Sequence, residues 1–234
     1  MRTLIILLSL AFLIRIGYIL TLDNTKLDAT GMEQGGEIAQ NLLKNNGYKM
    51  QYYGVEFLSG RVPIFPLFIA GTFYIFGENI FILRLLLVIL NTFMCLGIFL
   101  LAKELFNSQT GFLAMLISVF YPPFIYLSGC LVAESLIAPL WVLTTLLFLR
   151  KHYIWVGLLL GVLVMAKATM YAIVPIFLIY SRKLKPIFIM LLFFILVISP
   201  WVIRNYHIHH RIILTCTWGS SVFNSVNSIK QYEY

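Results

Sequence analysis

Apolar runs alternate with short polar breaks along the whole chain, at roughly 3–22, 62–77, 79–101, 110–128, 131–149, 154–181 and 186–203. A bilayer core takes about 20 residues of helix per crossing, and several of these runs fit one crossing. The run at 62–77 is short for one, and the run at 154–181 is too long and is interrupted by Lys167, so the first reads as a partial helix and the second as a hairpin. The N-terminal run carries Arg2 at its start like a signal peptide. It continues through Arg15 without a small-residue cleavage site, so it reads as an uncleaved first helix. The predicted fold is all-α, a polytopic transmembrane bundle of about seven or eight membrane segments.

The longest polar interruption, residues 23–61, carries Asp23, Asp28, Glu33, Glu37 and Glu56 among four basic residues. Its middle has helical period. Ile38, Ala39, Leu42 and Leu43 share one face of Met32–Asn45, and Glu33, Glu37, Gln40 and Lys44 share the other. Thr30 with Glu33 makes a possible capping box, and Asn46-Gly47 a stop. The loop is therefore expected to hold a short amphipathic helix on the outer membrane surface.

Composition removes the alternatives to a membrane protein. Hydrophobic residues make up 61% of 234 and charged residues 11%, which excludes a water-soluble globule. The net charge of +8 would suggest nucleic acid in a soluble chain, but here the basic residues sit between apolar runs and read as topology anchors. Alternating crossings would place Arg150-Lys151 opposite Arg182, Lys183 and Lys185. The positive-inside rule prefers Arg2, Lys103, Arg150-Lys151 and 182–185 together in the cytoplasm, with 62–77 re-entrant and 154–181 two short helices. Either scheme puts 23–61 and the tail from Arg204 outside. Cys95, Cys130 and Cys216 form neither a disulfide framework nor a metal-ligand spacing.

Ionisable groups at membrane depth cost several kcal/mol unless paired or wet, which makes Arg15, Arg84, Glu134 and Lys167 the first functional candidates. Each has a plainer reading: Arg15 snorkelling to the interface beside Tyr18, Arg84 as an interfacial anchor, Glu134 as a buried partner for a cation, and Lys167 capping a hairpin tip. In the loop, Asp28 has no capping duty and Glu33 has one, so Asp28 ranks ahead as a chemical carboxylate. Glu37 reads as a solubilising group. His207, His209 and His210 lie beyond the last run and read as interfacial. No His-carboxylate spacing marks a tight metal site, so no metal is assigned, although a divalent ion stays open.

Taken in order, these features resemble the GT-C superfamily of membrane glycosyltransferases, of the protein O-mannosyltransferase and lipid A aminoarabinose transferase type. The matching pieces begin with Arg15 and Tyr18, the acidic loop leading into Glu37-Ile38-Ala39-Gln40-Asn41-Leu42-Leu43 and Gly47-Tyr48, and the Pro63 to Leu67 entry. They continue with Phe76-Gly77 before Arg84, Tyr121-Pro122-Pro123 before Glu134, Gly157 and Gly161 before Lys167, and Pro200-Trp201 with Arg204-Asn205. The resemblance implies a polyprenyl-phosphate sugar as donor, a glycan, lipid or protein as acceptor, and inversion at the sugar, with no cofactor required and no nucleic acid partner. It implies an acidic base in the first outer loop, Asp28 or Glu33, because Gly31-Met32-Glu33-Gln34-Gly35-Gly36 stands where relatives carry an acidic residue followed by Tyr. By position, Arg61, Arg84 and Lys167 match the cations on the donor phosphate and Glu134 the second acidic position. The implied organisation is a membrane module over 1–203, in the plasma membrane with its site outside, and an extracytoplasmic tail over 204–234 that reads as the start of a truncated C-terminal region. A non-catalytic subunit or lipid-phosphate-binding remnant of such an enzyme is the alternative. A transporter would need paired repeats, and none is visible.

Overall fold

The structure, a computed structural model, describes residues 2–24, 35–52 and 54–217. Within them the chain forms ten α-helices and one small hairpin. The helices are α1 (Arg2–Leu20), α2 (Gly35–Leu43), α3 (Ile64–Phe76), α4 (Ile80–Leu105), α5 (Ser108–Phe120), α6 (Pro122–Gly129), α7 (Ala133–Leu149), α8 (Tyr153–Ala166), α9 (Val174–Ser181) and α10 (Leu184–His209). A 3₁₀ turn, Ala168–Ile173, joins α8 to α9. Strands β1 (Met50–Tyr52) and β2 (Val55–Phe57) pair antiparallel, with Met50 opposite Phe57.

Three helices, α1, α4 and α10, are long and apolar enough to cross a membrane, and a fourth crossing follows if the bent pair α5 and α6 counts as one. The remaining apolar runs form shorter helices, and the breaks that shorten them are local in origin. Pro122 disfavours helical backbone at the residue before it, so Tyr121 is held extended at φ −68°, ψ 114° and the chain turns by 55° between α5 and α6. Lys167 is extended at φ −153°, ψ 126° and ends α8. The long run at 154–181 is thus two short helices about a turn.

Side-chain contacts fix which ends lie together. Arg84 near the start of α4 reaches Asp23 just past α1, while Cys95 farther along α4 meets Arg15 farther back in α1, so α1 and α4 are antiparallel. Arg150 pairs with Glu104, joining the C-terminal ends of α7 and α4. Phe148 touches both Tyr153 and Phe177, bringing the start of α8 and the end of the 168–181 run to the same place. Gly157 lies against Met190 and Gly161 against Val197, so α8 and α10 run parallel. One end of the bundle therefore gathers Lys103, Arg150, Lys151, Arg182, Lys183 and Lys185. The other carries the loop, and α3 begins and ends there.

The amphipathic segment of the first loop is α2, whose apolar residues Ile38 and Ala39 are fully buried, with Ala39 in the same core as Phe65, Ile69 and Phe73 of α3. Its face is therefore covered by protein rather than lying free on a bilayer. Its stop falls one residue earlier than expected: Asn45 takes the left-handed conformation at φ 58°, and the Asn46 N–H closes back on the Asn41 carbonyl at 2.8 Å. Thr30 and Glu33, the expected cap, lie outside the described residues, as does Asp28. Glu37 is not a free solubilising group, because its Oε1 accepts the Gln51 N–H at 2.8 Å and ties α2 to the hairpin.

Two cores result. A larger one joins α3, α4, α7, α8 and α10, and a smaller one joins α1, α4 and α5 around Ala11, Cys95, Met115 and Val119. Large apolar side chains such as Phe188, Ile195 and Ile203 point outward, which suits lipid and not water.

Candidate functional site

Two helices stop short of the loop end, and the site lies where they stop. The start of α7 is level with Asn91, whose Nδ2 donates to the Ser135 carbonyl at 2.9 Å. That is eleven residues into α4, about 16 Å below its beginning at 1.5 Å per residue. Ser135 secures the approach by donating its hydroxyl to the Cys130 and Leu127 carbonyls at 2.7 and 2.6 Å. The last turn of α8 faces this point, and Lys167 closes it by donating its N–H to the Leu163 carbonyl at 3.0 Å.

The cut ends hold opposite charges. Glu134 sits in the first turn of α7, where the positive pole of the helix favours a carboxylate, and Lys167 sits at the negative C-terminal pole of α8. Their side chains form an ion pair. The field of Arg61 also reaches the Glu134 carboxylate. The expected plainer roles of Glu134 and Lys167, cation partner and tip of a broken run, are both present here, but the pair is only half-buried.

Two cavities meet at this pair. One, of about 250 Å³, lies toward the loop and is lined by Gly35, Arg61, Pro66, Lys167, Thr169 and Cys216 among others. The second, of about 390 Å³, lies between α4, α6, α7 and the 3₁₀ turn; Glu134 and Lys167 border it, and Phe124, Leu127, Ile137 and Trp141 make apolar walls. Lys167 and Thr169 border both. The structure thus brings Arg61, Glu134 and Lys167 together.

Arg84 is elsewhere. Its guanidinium is fully buried and donates to the Gly129 carbonyl at 3.1 Å, the Asp23 carbonyl at 2.7 Å and Asn24 Oδ1 at 2.6 Å. It is neither an interfacial anchor nor a wall of either cavity, and it clamps the chain just before the acidic stretch of the loop. Arg15 does not snorkel: it is fully buried between α1, α4 and α5, donating to the Ala11, Val119 and Ser118 carbonyls and to Cys95 Sγ at 3.1 to 3.4 Å.

A polar knot at the loop end escaped the sequence reading. Arg204 donates to Ser59 Oγ at 3.1 Å and to the Tyr48 and Leu58 carbonyls at 3.1 and 2.8 Å, and its guanidinium lies over the rings of Tyr48 and Trp201. Asn205, which is fully buried, accepts from Ser59 and donates to the Ile213 carbonyl. The Trp201 indole N–H donates to the Thr215 carbonyl. The Tyr48 hydroxyl donates to the Arg61 and Val62 carbonyls at 3.0 and 3.1 Å, which fixes the backbone of the cavity-lining arginine. Burial pushes the Tyr48 phenol well above the usual tyrosine range. The sequence signal for the knot was the presence of Tyr48, Trp201 and Arg204-Asn205 in the family pattern, to which no chemistry attached. His209 approaches Ser59 Oγ at 3.0 Å, and among the described residues no group of three or more His, Cys, Asp or Glu gathers as a metal site.

An apolar helical bundle with lipid-facing side chains and broken helices around a charged recess defines an integral membrane protein. The family model described as dolichyl-phosphate-mannose-protein mannosyltransferase matches residues 61–203, and the chain belongs to that family of membrane glycosyltransferases. The match includes Arg61, Arg84, Glu134 and Lys167 and begins after Asp28 and Glu33. No curated protein matches the chain.

Proposed function

We propose that this chain moves a sugar from a polyprenyl-phosphate donor to an acceptor at the loop end, with inversion. The observation that carries this reading is the position of Lys167 between an apolar cavity and a smaller one that also holds Arg61. The isoprenoid tail would lie along the apolar cavity, with the phosphate at Lys167 and Arg61 and the sugar in the 250 Å³ space. The acceptor hydroxyl attacks the anomeric carbon and gives its proton to a loop carboxylate. The bond from that carbon to the phosphate oxygen breaks, and its electron pair leaves on the phosphate. A phosphodiester of charge about −1 becomes a monoester of about −1.5 to −2, so fixed cations hold the transition state better than the donor.

Covalent connectivity bears on the base. Glu33 stands two residues before Gly35, which lines the smaller cavity, and Asp28 stands seven before it. That favours Glu33, the reverse of the order that capping alone suggests. The positive-inside rule supports placing the basic end in the cytoplasm and the loop end outside the plasma membrane, with seven passes and α3 re-entrant.

Transfer of labelled sugar from polyprenyl-phosphate donor in membranes tests the reading. Glu33→Gln is expected to lower turnover about 10²- to 10⁴-fold, with Asp28→Asn much milder. Full turnover in both variants would show that neither is the base. Binding of phosphate lipid by the unaltered chain without any transfer would establish the non-catalytic alternative instead.

A further inference from the structure

We infer that the Glu134–Lys167 ion pair is a resting contact that the donor phosphate displaces, Lys167 exchanging its carboxylate partner for the phosphate. This rests on the donor reading above. Lys167 borders both cavities, whereas Arg61 lines only the smaller and Glu134 only the apolar one, so the ammonium is the charge shared between the two spaces. The side chains of the pair are 36% and 40% exposed, and packing does not lock them. Arg15 and Arg84 differ on this point: each is fully buried and spends its donors mainly on main-chain carbonyls.

Charge balance gives the same direction. The donor phosphodiester carries about −1 and the departing monoester about −1.5 to −2, and a Lys167 released from Glu134 supplies a cation to meet that gain. Opening the pair leaves neither partner stranded, because the N-terminal pole of α7 still supports Glu134 while Lys167 gains an anion. A lysine suits the exchange, being a compact charge on a flexible stem with three rotatable donors. Glu134 thus neutralises Lys167 in the empty recess, where an uncompensated charge is costly, and competes with the donor for it.

The exchange predicts an unusual sign: removing the Glu134 charge tightens phosphate binding. The test titrates farnesyl phosphate, with farnesol as the uncharged control, against the full chain in nanodiscs as wild type, Glu134→Gln and Glu134→Asp. Glu134→Gln is expected to bind farnesyl phosphate about fivefold more tightly than wild type, with Glu134→Asp between and farnesol unchanged throughout. If wild type prefers farnesyl phosphate to farnesol but Glu134→Gln binds it no more tightly, the exchange is wrong and the donor reading survives. If wild type binds the two ligands equally, the donor reading fails and takes the exchange with it. Should Glu134→Gln not fold, NMR of ¹³C-methylated lysines in the wild type decides: the Lys167 signal moves on adding farnesyl phosphate, and a signal that stays still overturns the exchange.

Discussion

Four charged residues sit within the apolar runs, and their partners divide them into two kinds. Arg15 and Arg84 are fully buried and hydrogen-bonded largely to carbonyls left open at helix ends and turns, a task for which the planar five-donor guanidinium is suited. Glu134 and Lys167 pair with each other at the wall of a cavity. Arg84→Lys is therefore expected to lower thermal stability in detergent by about 1–3 kcal/mol, because one ammonium does not span the Gly129 carbonyl and the Asp23–Asn24 backbone together. All four residues were legible in the sequence as anomalies. Their division was not, because main-chain carbonyls carry no sequence signature and Arg84 meets its acceptors from residues 45 and about 60 positions away.

Among the elements, the pairing of α8 with α10 depends on two small residues a turn apart. A methyl group on Gly157 would lie 2.5 Å from the Met190 carbonyl oxygen, and one on Gly161 would lie 2.6 Å from Val197 Cβ. This is close helix packing through small side chains, and Gly157→Ala is expected to cost about 1–3 kcal/mol in thermal unfolding in detergent. Gly17 in α1 meets nothing within 4 Å, so Gly17→Ala in the same measurement is expected to be neutral or to stabilise by about 0.5–1 kcal/mol. The positions of the apolar helices followed from the apolar runs, the break at Lys167 from a charge inside a run too long for one crossing, and the apolar face of α2 from helical period. The bend at Tyr121 followed from Pro122-Pro123, which punctuate an otherwise continuous apolar run. The hairpin at 50–57 went unseen, since strands of three residues are too short to display an alternating pattern.

For the molecule as a whole, the separation of a basic end from a loop end makes the thiols informative. Cys95 and Cys130 are buried in the bundle and Cys216 is partly open beside the smaller cavity. With the loop end outside, an impermeant maleimide added to intact cells is expected to label Cys216 and spare the other two, and a Cys216→Ser chain is expected to stay unlabelled. Labelling only after the cells are opened would invert the assigned orientation.

The knot at the loop end has a consequence for how this protein tolerates change. Trp201, Arg204 and Asn205 hold the main chain of Leu58, Ile213 and Thr215, and not the side chains at those three places. The grip is therefore indifferent to what Leu58, Ile213 and Thr215 become, provided that the peptide path is kept. Substitution has room on the held segments and little on the three residues that do the holding, so the surface at the loop end can vary around a fixed anchor.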